Sequence, residues 1–408
     1  MSSLIQESLK LPCGALLKNR IGKSAMSENM ASDNHTANNH FVNLYKRWAL
    51  GGTGLLITGN VMIDKLALGE PGNVVIEKNH EITFLKEWAQ AGKINSTHIW
   101  VQLNHPGKQS PKFLSKKPVS PSAISLKPPL NKMFNEPRAI EENEIWDIIN
   151  RFGYAAKVVK ETGFTGVQIH GAHGYLVSQF LSPLHNIRKD QWGGSLENRM
   201  RFVCEIYKSI RQNVGNDFPV SIKLNSADFQ KGGFTEDESI EVVKKLASLG
   251  MDLIEVSGGT YEAPEMTGVH RKETTKQREA YFLDYCEKVR KHVDTPLMLT
   301  GGFRSQEGMN AALSSKACDL IGIARALALN PDFSIQIMAD KNVQSDVKTL
   351  TTGIKFVDNL FPLEITWYAL QLQRMGEGKE PNPKLNIHYS IISTLFGMGA
   401  KSLKRVRA

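Results

Sequence analysis

The sequence predicts an α/β protein: a (β/α)₈ TIM barrel with a C-terminal helical extension. Eight short apolar runs alternate with amphipathic helical patterns, which is typical of β/α units around a parallel sheet. No glycine fingerprint opens the first helix after a strand, which argues against a doubly wound dinucleotide-binding sheet. The length of 408 residues suits one large barrel with an extension.

The eight apolar runs are each long enough for one barrel strand. The first run is the weakest, because Gly22 and Lys23 interrupt its apolar pattern. The predicted strands are Arg20–Met26, Gly54–Gly59, His98–Leu103, Gly166–His170, Val220–Leu224, Asp252–Val256, Pro296–Thr300 and Asp319–Ile323.

Helical patterns fill the gaps between these runs. Glu141–Thr162 carries apolar residues at helical spacing. Thr235 and Glu238 form a capping box, and Ser195 can cap another helix. His80–Ala91 and Thr274–Lys291 are less regular helical patterns.

Four segments lie outside the repeating pattern. Leu9–Arg20 predicts a short hairpin that closes the N-terminal end of the barrel. Residues 104–140 form a long connection after the third strand, either a lid over the site or a solvated excursion. A turn-rich break at residues 377–383 precedes an amphipathic pattern at residues 391–398. We expect this last pattern to pack on the barrel or to fray, rather than to contact a membrane surface or a partner. The predicted parts are a barrel over residues 1–340 and a basic extension over residues 341–408.

Composition narrows the function classes. The net charge is +9, but five of these charges lie in the last 28 residues, which argues against a broad nucleic-acid surface. The four cysteines are scattered without a C-x-x-C pair, so a structural zinc, an iron–sulfur cluster and a disulfide framework are not expected. No signal peptide or membrane-length apolar run is present, which indicates a cytoplasmic protein without membrane insertion. The oligomeric state is open.

The stretch around the fourth predicted strand carries the strongest chemical signal. Residues 166–169 form a short apolar strand, and His170, His173 and Tyr175 follow at its end. Polar side chains at the end of a buried strand are typical of active sites in barrels. Two imidazoles and a phenol provide hydrogen-bond donors and a proton source. Zinc binding would need a third ligand, which is not patterned nearby, and structural histidines are the other alternative.

Together with three further motifs, this stretch resembles the old yellow enzyme family, the flavin-dependent ene-reductases. The further motifs are the opening Asn19-Arg20-Ile21, the run Gln102-Leu103-Asn104-His105-Pro106-Gly107-Lys108, and the glycines after strands seven and eight. The resemblance covers about residues 10–335. It implies tightly bound FMN with NAD(P)H as co-substrate. It also implies that His170 and His173 hold the substrate's carbonyl or nitro oxygen while Tyr175 gives a proton to the α-carbon.

The resemblance also implies the flavin contacts. Asn60 replaces a residue that is usually small in the family, and Lys223 replaces an arginine beside the flavin N1/O2 edge. A lysine inside a barrel is costly unless paired, and it cannot form the bidentate fork of arginine. The implied FMN-binding residues are Ala25, Met26, Ser27, Asn60, Gln102, Lys223, Gly301, Gly302, Phe303, Ala324 and Arg325.

The predicted function is an FMN-dependent oxidoreductase. It passes hydride from NAD(P)H through flavin N5 to the electron-poor C=C bond of an α,β-unsaturated carbonyl or nitro compound. One alternative is another FMN barrel such as a tRNA-dihydrouridine synthase, which would want a cysteine near the flavin and an RNA-binding domain. The other is a non-catalytic scaffold that acts through its basic tail.

Overall fold

The computed structural model describes residues 3–78, 81–263, 279–354, 357–358 and 363–393. All eight predicted runs form barrel strands. The barrel strands are β3 (Ile21–Lys23), β4 (Leu55–Met62), β6 (His98–Asn104), β9 (Gly166–Gly171), β10 (Val220–Asn225), β11 (Leu253–Ser257), β12 (Leu297–Thr300) and β13 (Leu320–Ile323). Five short strands lie outside this set and are numbered with it in chain order: β1 (Leu9–Lys10), β2 (Leu16–Leu17), β5 (Val74–Val75), β7 (Val119–Ser120) and β8 (Arg138–Ala139).

These eight strands close into one parallel barrel. Their order around the barrel is β3, β4, β6, β9, β10, β11, β12 and β13, and β13 pairs with β3 again. The register places Lys223 of β10 between His170 of β9 and Glu255 of β11. Strand β5 pairs with the C-terminal end of β4. The carboxyl ends of all eight strands therefore meet at one face.

Helices lie between the strands and cover the barrel. Capping boxes are present at both predicted starts: Glu141 with Glu144, and Thr235 with Glu238. The Ser195 side chain accepts from the backbone N–H of Asn198, as predicted. The helices are α1 (Asn39–Leu50), α2 (Thr83–Gly92), α3 (Glu142–Glu161), α4 (Leu176–Leu181), α5 (Leu196–Val214), α6 (Glu236–Ser248), α7 (Leu283–Arg290), α8 (Gln306–Ser314), α9 (Arg325–Leu329), α10 (Phe333–Ala339) and α11 (Leu363–Gly376).

Two predicted helices differ at their starts. The pattern His80–Ala91 corresponds to α2, which begins at Thr83, and His80 lies outside the described residues. The pattern Thr274–Lys291 corresponds to α7, which begins only at Leu283. Residues 274–278 of that pattern lie outside the described part of the chain.

An apolar plug fills the N-terminal end of the barrel. Strands β1 and β2 pair antiparallel, which confirms the predicted hairpin. Leu9, Leu11 and Leu17 of the hairpin pack in one cluster with inward side chains of the strands, which are Leu55, Ile57, Trp100, Leu253, Met298 and Leu320. The site chemistry is thereby confined to the opposite face.

The long connection and the C-terminal segment both pack on the barrel. Residues 104–140 contain the paired strands β7 and β8, and they bury Phe134. Helix α11 buries Trp367 and Leu372 and packs against α1. Within the described residues no helix is both apolar enough and long enough to span a bilayer. Most of the amphipathic pattern at 391–398 lies outside the described residues, and the division near residue 340 and the lid stay predictions.

Candidate active site

The three predicted catalytic side chains come together at the carboxyl end of β9. His170 lies in the strand, and His173 and Tyr175 lie in the turn before α4. The ring centroids of His170 and His173 are 5.1 Å apart, and those of His170 and Tyr175 are 4.8 Å apart. His173 has φ of 61° and Gly174 has φ of 77°, so left-handed backbone turns these side chains back towards the strand.

Contacts with neighbouring strands hold His173, and a hydrogen bond within its own segment orients the His170 imidazole. The backbone N–H of His173 donates to Asn225 Oδ1 at 3.2 Å, and its Nε2 lies 2.8 Å from Ser257 Oγ. His170 Nδ1 accepts from the backbone N–H of Ala172 at 3.3 Å, which leaves the proton of the neutral ring on Nε2. Ser257 was not predicted from the sequence, although it is the last residue of a buried strand.

The environment keeps both imidazoles neutral and the phenol protonated. Burial, then His173 and Lys223, lower the pKa of His170 well below its usual range. Burial and Lys223 lower the pKa of His173 to about 3. Burial, followed by Tyr261 and Glu70, raises the pKa of Tyr175 well above 10. Near neutral pH the imidazoles can therefore donate hydrogen bonds without carrying charge, and Tyr175 keeps its proton.

A second phenol stands beside the first. Tyr261 follows β11, and its hydroxyl oxygen lies 2.7 Å from that of Tyr175. The Tyr261 ring also contacts Phe134 of the long connection, with centroids 6.4 Å apart. Tyr261 was not predicted from the sequence, although its place just after a barrel strand is a usable signal.

A chain of polar side chains crosses the barrel interior below the histidines. Gln102 donates to Gln168 Oε1 at 2.7 Å, and Gln168 donates to Glu255 Oε2 at 2.9 Å. Glu255 Oε1 lies 3.1 Å from Lys223 Nζ and accepts from Thr300 Oγ1 at 2.8 Å. The expectation that Lys223 needs a partner is thus met by Glu255. Gln168 and Glu255 were not predicted, because both look like isolated polar residues within apolar strands.

The ends of β3 and β4 hold the next predicted residues. Ala25, Met26 and Ser27 follow β3, and the Ser27 hydroxyl donates to the Glu70 carboxylate, whose pKa burial raises. Asn60 of β4 pairs in register with Gln102. Its Oδ1 atom is buried and accepts no hydrogen bond from the described residues. An orphaned buried acceptor there marks a place for a ligand donor.

A buried ionic group supports these two strand ends from outside the barrel. Glu28 accepts from the Tyr45 hydroxyl and from the backbone N–H of Gly59, the latter at 3.0 Å. Lys23 Nζ donates to Ile57 O at 2.9 Å. Burial lowers the pKa of Lys23 to about 8 and raises that of Glu28. The register of β4 shifts between Ile57 and Asn60, and these contacts hold that irregular segment.

The predicted phosphate loops lie side by side. Thr300 pairs with Gly322, so the loops after β12 and β13 are neighbours. Gly301 and Gly302 have φ of 128° and 86°, and a Cβ at Gly302 would come within 2.5 Å of the Tyr281 ring. The remaining predicted phosphate residues, Phe303, Ala324 and Arg325, lie in or just after the same loops.

Two contacts at these loops were not expected. The Arg325 guanidinium lies 3.0 Å from the Glu364 carboxylate of α11, so an acidic partner shares its charge. The backbone N–H of Arg304 donates to the Glu279 carboxylate at 2.9 Å, and Ser305 Oγ donates to the same group at 2.8 Å. A carboxylate held in this way shows that the loop after β12 favours an anion.

The residues present fit FMN. The glycine loops after β12 and β13 offer close backbone approach to a phosphate, and Gln102 and Asn60 offer polar atoms for a flavin rim. Among the described residues no cluster of three His, Cys, Asp or Glu side chains is arranged to hold a metal ion.

Comparison with known proteins identifies the family of the chain. Residues 10–344 match the NADH:flavin oxidoreductase / NADH oxidase family. The chain is 36% identical over 365 residues to the NADH-dependent flavin oxidoreductase iliE of Hypocrea jecorina, covering 84% of this chain and 90% of the relative. It is 31% identical over 328 residues to the cinnamate reductase of Clostridium sporogenes, covering 74% of this chain and 47% of the relative.

The fold agrees as well. The structure of the old yellow enzyme homologue from Zymomonas mobilis superposes with a TM-score of 0.71 at 24% identity, covering 85% of this chain and 97% of that one. The chain therefore belongs to the NADH:flavin oxidoreductase / NADH oxidase family and is an oxidoreductase that uses FMN, with NAD(P)H as co-substrate.

Proposed function

We propose that this enzyme reduces the electron-poor C=C bond of an α,β-unsaturated carbonyl or nitro compound. The observation that carries the proposal is the group of two neutral imidazoles beside one protonated phenol: the His170 ring centroid lies 5.1 Å from that of His173 and 4.8 Å from that of Tyr175. Such a group suits a reaction that builds negative charge on an oxygen and then needs one proton at carbon.

Each side chain has a distinct part in this proposal. FMN, when bound, takes hydride from NAD(P)H and supplies it to the substrate. His170 and His173 donate N–H hydrogen bonds to the substrate oxygen, and these bonds strengthen as the oxygen becomes an enolate. Tyr175 transfers its hydroxyl proton to the α-carbon. One site serves both half-reactions, so we expect ping-pong kinetics.

Two further observations support this choice. The name of one relative, cinnamate reductase, indicates a substrate with a C=C bond conjugated to a carboxyl group. Lys223, whose charge faces His170 across the strand pair, helps to keep that imidazole neutral. A neutral imidazole keeps one N–H group, which can donate a hydrogen bond to the substrate oxygen in an oxyanion clamp.

The dihydrouridine synthase alternative lacks its cysteine. Cys13 lies in the hairpin at the N-terminal end of the barrel, where its backbone N–H donates to Asp252. Cys204 and Cys286 lie in α5 and α7, and Cys318 precedes β13. Burial raises the pKa of all four thiols. Each cysteine is therefore a protonated packing residue remote from the carboxyl ends of the strands.

The test begins with the absorbance spectrum of the purified protein. We expect a flavin spectrum that NADPH bleaches under anaerobic conditions and that 2-cyclohexen-1-one restores. A colourless protein that FMN does not reconstitute would exclude both this function and any flavin chemistry. A scaffold protein has no reason to retain FMN, so the same spectrum separates that alternative.

The double variant His170→Ala/His173→Ala tests the clamp. We expect it to retain FMN and to be reduced by NADPH, but to lose the binding of a phenol inhibitor and at least about 100-fold of enone turnover, since two oxyanion donors are removed. The matched control is His292→Ala, which changes an exposed histidine before β12. Unchanged enone turnover in the double variant would contradict the clamp.

A further inference from the structure

The second phenol, Tyr261, lies where a proton could enter the site. Tyr175 is 7% exposed, and its hydroxyl oxygen lies 2.7 Å from that of Tyr261. The two rings meet edge to face, with centroids 5.8 Å apart. The Tyr261 ring is half-buried and lines a cavity of about 460 Å³. Tyr261 therefore connects a buried phenol to a space that admits water.

The surroundings of Tyr175 disfavour a negative charge on its phenol oxygen. Burial, then Tyr261 and Glu70, raise its pKa well above 10, which means that the phenolate left after proton donation is strongly disfavoured. Burial likewise raises the pKa of Tyr261 to about 12. Both phenols are therefore protonated at rest, and either oxygen of the pair can serve as donor.

Neighbouring carboxylates do not take the place of Tyr261. Glu262 is next in the chain, but its carboxylate accepts from the backbone N–H of Lys127 at 2.9 Å and lies 3.6 Å from His185. The Glu70 carboxylate accepts from Ser27. Among the described residues, the Tyr261 hydroxyl and the Asn60 amide both lie within hydrogen-bond reach of the Tyr175 hydroxyl. A hydroxyl both donates and accepts and can pass a proton on, whereas the amide can only donate its N–H hydrogen bond.

We propose that Tyr261 is a proton-relay residue that passes protons from cavity water to Tyr175, a role that rests on the proposed function. As the O–H bond of Tyr175 breaks and a C–H bond forms at the substrate α-carbon, Tyr261 donates its proton to Tyr175 Oη. A water in the cavity then returns one proton to Tyr261, and bulk solvent supplies a proton to the hydroxide that is left. The hydride at the β-carbon comes from NAD(P)H through FMN, so the C=C bond gains one hydride and one proton per turnover.

The cavity walls suit a supply of water rather than a second reaction site. Phe229 and the Pro128–Pro129 pair provide apolar surface, while Gln230 and Lys127 provide polar atoms near the mouth. Gln230 donates to Thr260 Oγ1 at 2.9 Å, which fixes the turn that carries Tyr261. The ring of Tyr261 is thereby held between the cavity and Tyr175.

The test compares Tyr261→Phe with Tyr175→Phe and with the control Tyr154→Phe on α3, remote from the site. Stopped-flow absorbance measures two steps separately: bleaching of the flavin by NADPH and its re-oxidation by 2-cyclohexen-1-one in one turnover. We expect both steps to be unchanged in Tyr154→Phe, and bleaching to slow less than re-oxidation in the other two variants. Re-oxidation slows about 100-fold in Tyr175→Phe, which lacks the donor, and about tenfold in Tyr261→Phe, which lacks the hydrogen bond to the forming phenolate.

Two readouts separate a relay from packing. Tyr261→Phe keeps the ring contacts with Phe134 and Tyr175, so we expect an unchanged melting temperature and flavin spectrum, with a larger solvent deuterium isotope effect on re-oxidation. Tyr261→His restores a protic group and recovers part of the rate. Recovery in this variant supports the relay even if the Phe variant folds poorly.

The possible failures are distinguishable. Wild-type re-oxidation in Tyr261→Phe beside slow Tyr175→Phe would overturn the relay and leave the proposed function intact. Wild-type re-oxidation in both would overturn Tyr175 as donor, and the relay with it, while His170→Ala/His173→Ala still reports on the clamp. A wild-type flavin that no enone or nitroalkene re-oxidises would overturn the proposed function itself.

Discussion

At the scale of single residues, Lys223 and Glu255 form an ion pair inside the barrel, where both side chains are buried. Two more hydrogen bonds, from Gln168 and Thr300, complete the carboxylate's shell. A buried pair of this kind does little for stability by itself, but removing one partner leaves an uncompensated charge. The pair therefore sets how much positive charge faces the flavin edge proposed beside Lys223.

Opposite substitutions in this pair should move the flavin potential in opposite directions. Glu255→Gln keeps the shape but frees the lysine's charge, so we expect the midpoint potential to rise by about 30 mV or more. Lys223→Met removes the cation, so the potential should fall, because reduced flavin carries negative charge. Redox titration against a reference dye measures both values. Shifts of the same sign in the two variants would contradict a position of the pair beside the flavin.

Local sequence context explains which site residues were predictable. His170, His173 and Tyr175 lie within six residues of one another, so one segment brings them together. Gln168 and Glu255 function as partners of residues on other strands, and that pairing appears only when the barrel closes. Sequence spacing carries no information about such contacts. For this reason Gln102 and Lys223 were predicted from the sequence, but their partners Gln168 and Glu255 were not.

At the scale of elements, the weakest strand prediction shows why a broken pattern can still be a strand. Gly22 points into the narrow barrel, where a Cβ would lie 2.9 Å from the Met298 methyl carbon. Lys23 points outward and is buried against α1, with its ammonium 4.5 Å from the Trp48 ring centroid. The glycine and the lysine therefore both fit β3, although they break the pattern of apolar residues from which a strand is predicted.

The loop after β12 offers a test of the phosphate site with a matched control. Gly302→Ala puts a Cβ within 2.5 Å of the Tyr281 ring in a backbone of φ 86°. Gly378→Ala meets the same left-handed strain at φ 77°, but no atom lies within 4 Å of its Cβ. In each variant the left-handed backbone costs the new alanine about 1–2 kcal/mol of stability. Gly302→Ala adds the contact with Tyr281 at the predicted phosphate site, so only this variant should also lose FMN affinity. Fluorescence titration of the flavin-free proteins with FMN measures the affinity. Equal affinities in the two variants would contradict a phosphate site at the loop after β12.

At the scale of the whole molecule, the two ends of the barrel have opposite character. Leucines of the hairpin and inward side chains of the strands make the N-terminal end apolar. The carboxyl ends carry His105, His170, His173 and, nearby, His185, of which His173 is partly buried and the others buried, and all four have lowered pKa values. Folding therefore gathers uncharged imidazoles at one face, and the cost of charging them makes the entire chain sensitive to acid.

His105 allows this sensitivity to be measured at one position. Burial lowers its pKa to about 4, and its Nδ1 accepts from the backbone N–H of Gly107 at 3.1 Å. Below the ordinary histidine pKa of about 6.5, the unfolded chain binds a proton at His105. The folded chain binds that proton only as the pH falls to about 4. This stabilisation is complete above about pH 6.5 and is lost as the pH falls towards 4.

The variant His105→Asn keeps an acceptor for Gly107 but cannot titrate. The free energy of unfolding, from urea titrations at saturating FMN between pH 7 and 4.5, should fall less steeply than in the wild type, by up to about 1.4 kcal/mol per pH unit. Buried Glu28 and Glu70, whose raised pKa values act in the opposite direction, are common to both proteins and cancel in the difference. The exposed His388→Asn serves as the control. Parallel curves for wild type and His105→Asn would show that His105 is protonated in the folded protein, against its burial.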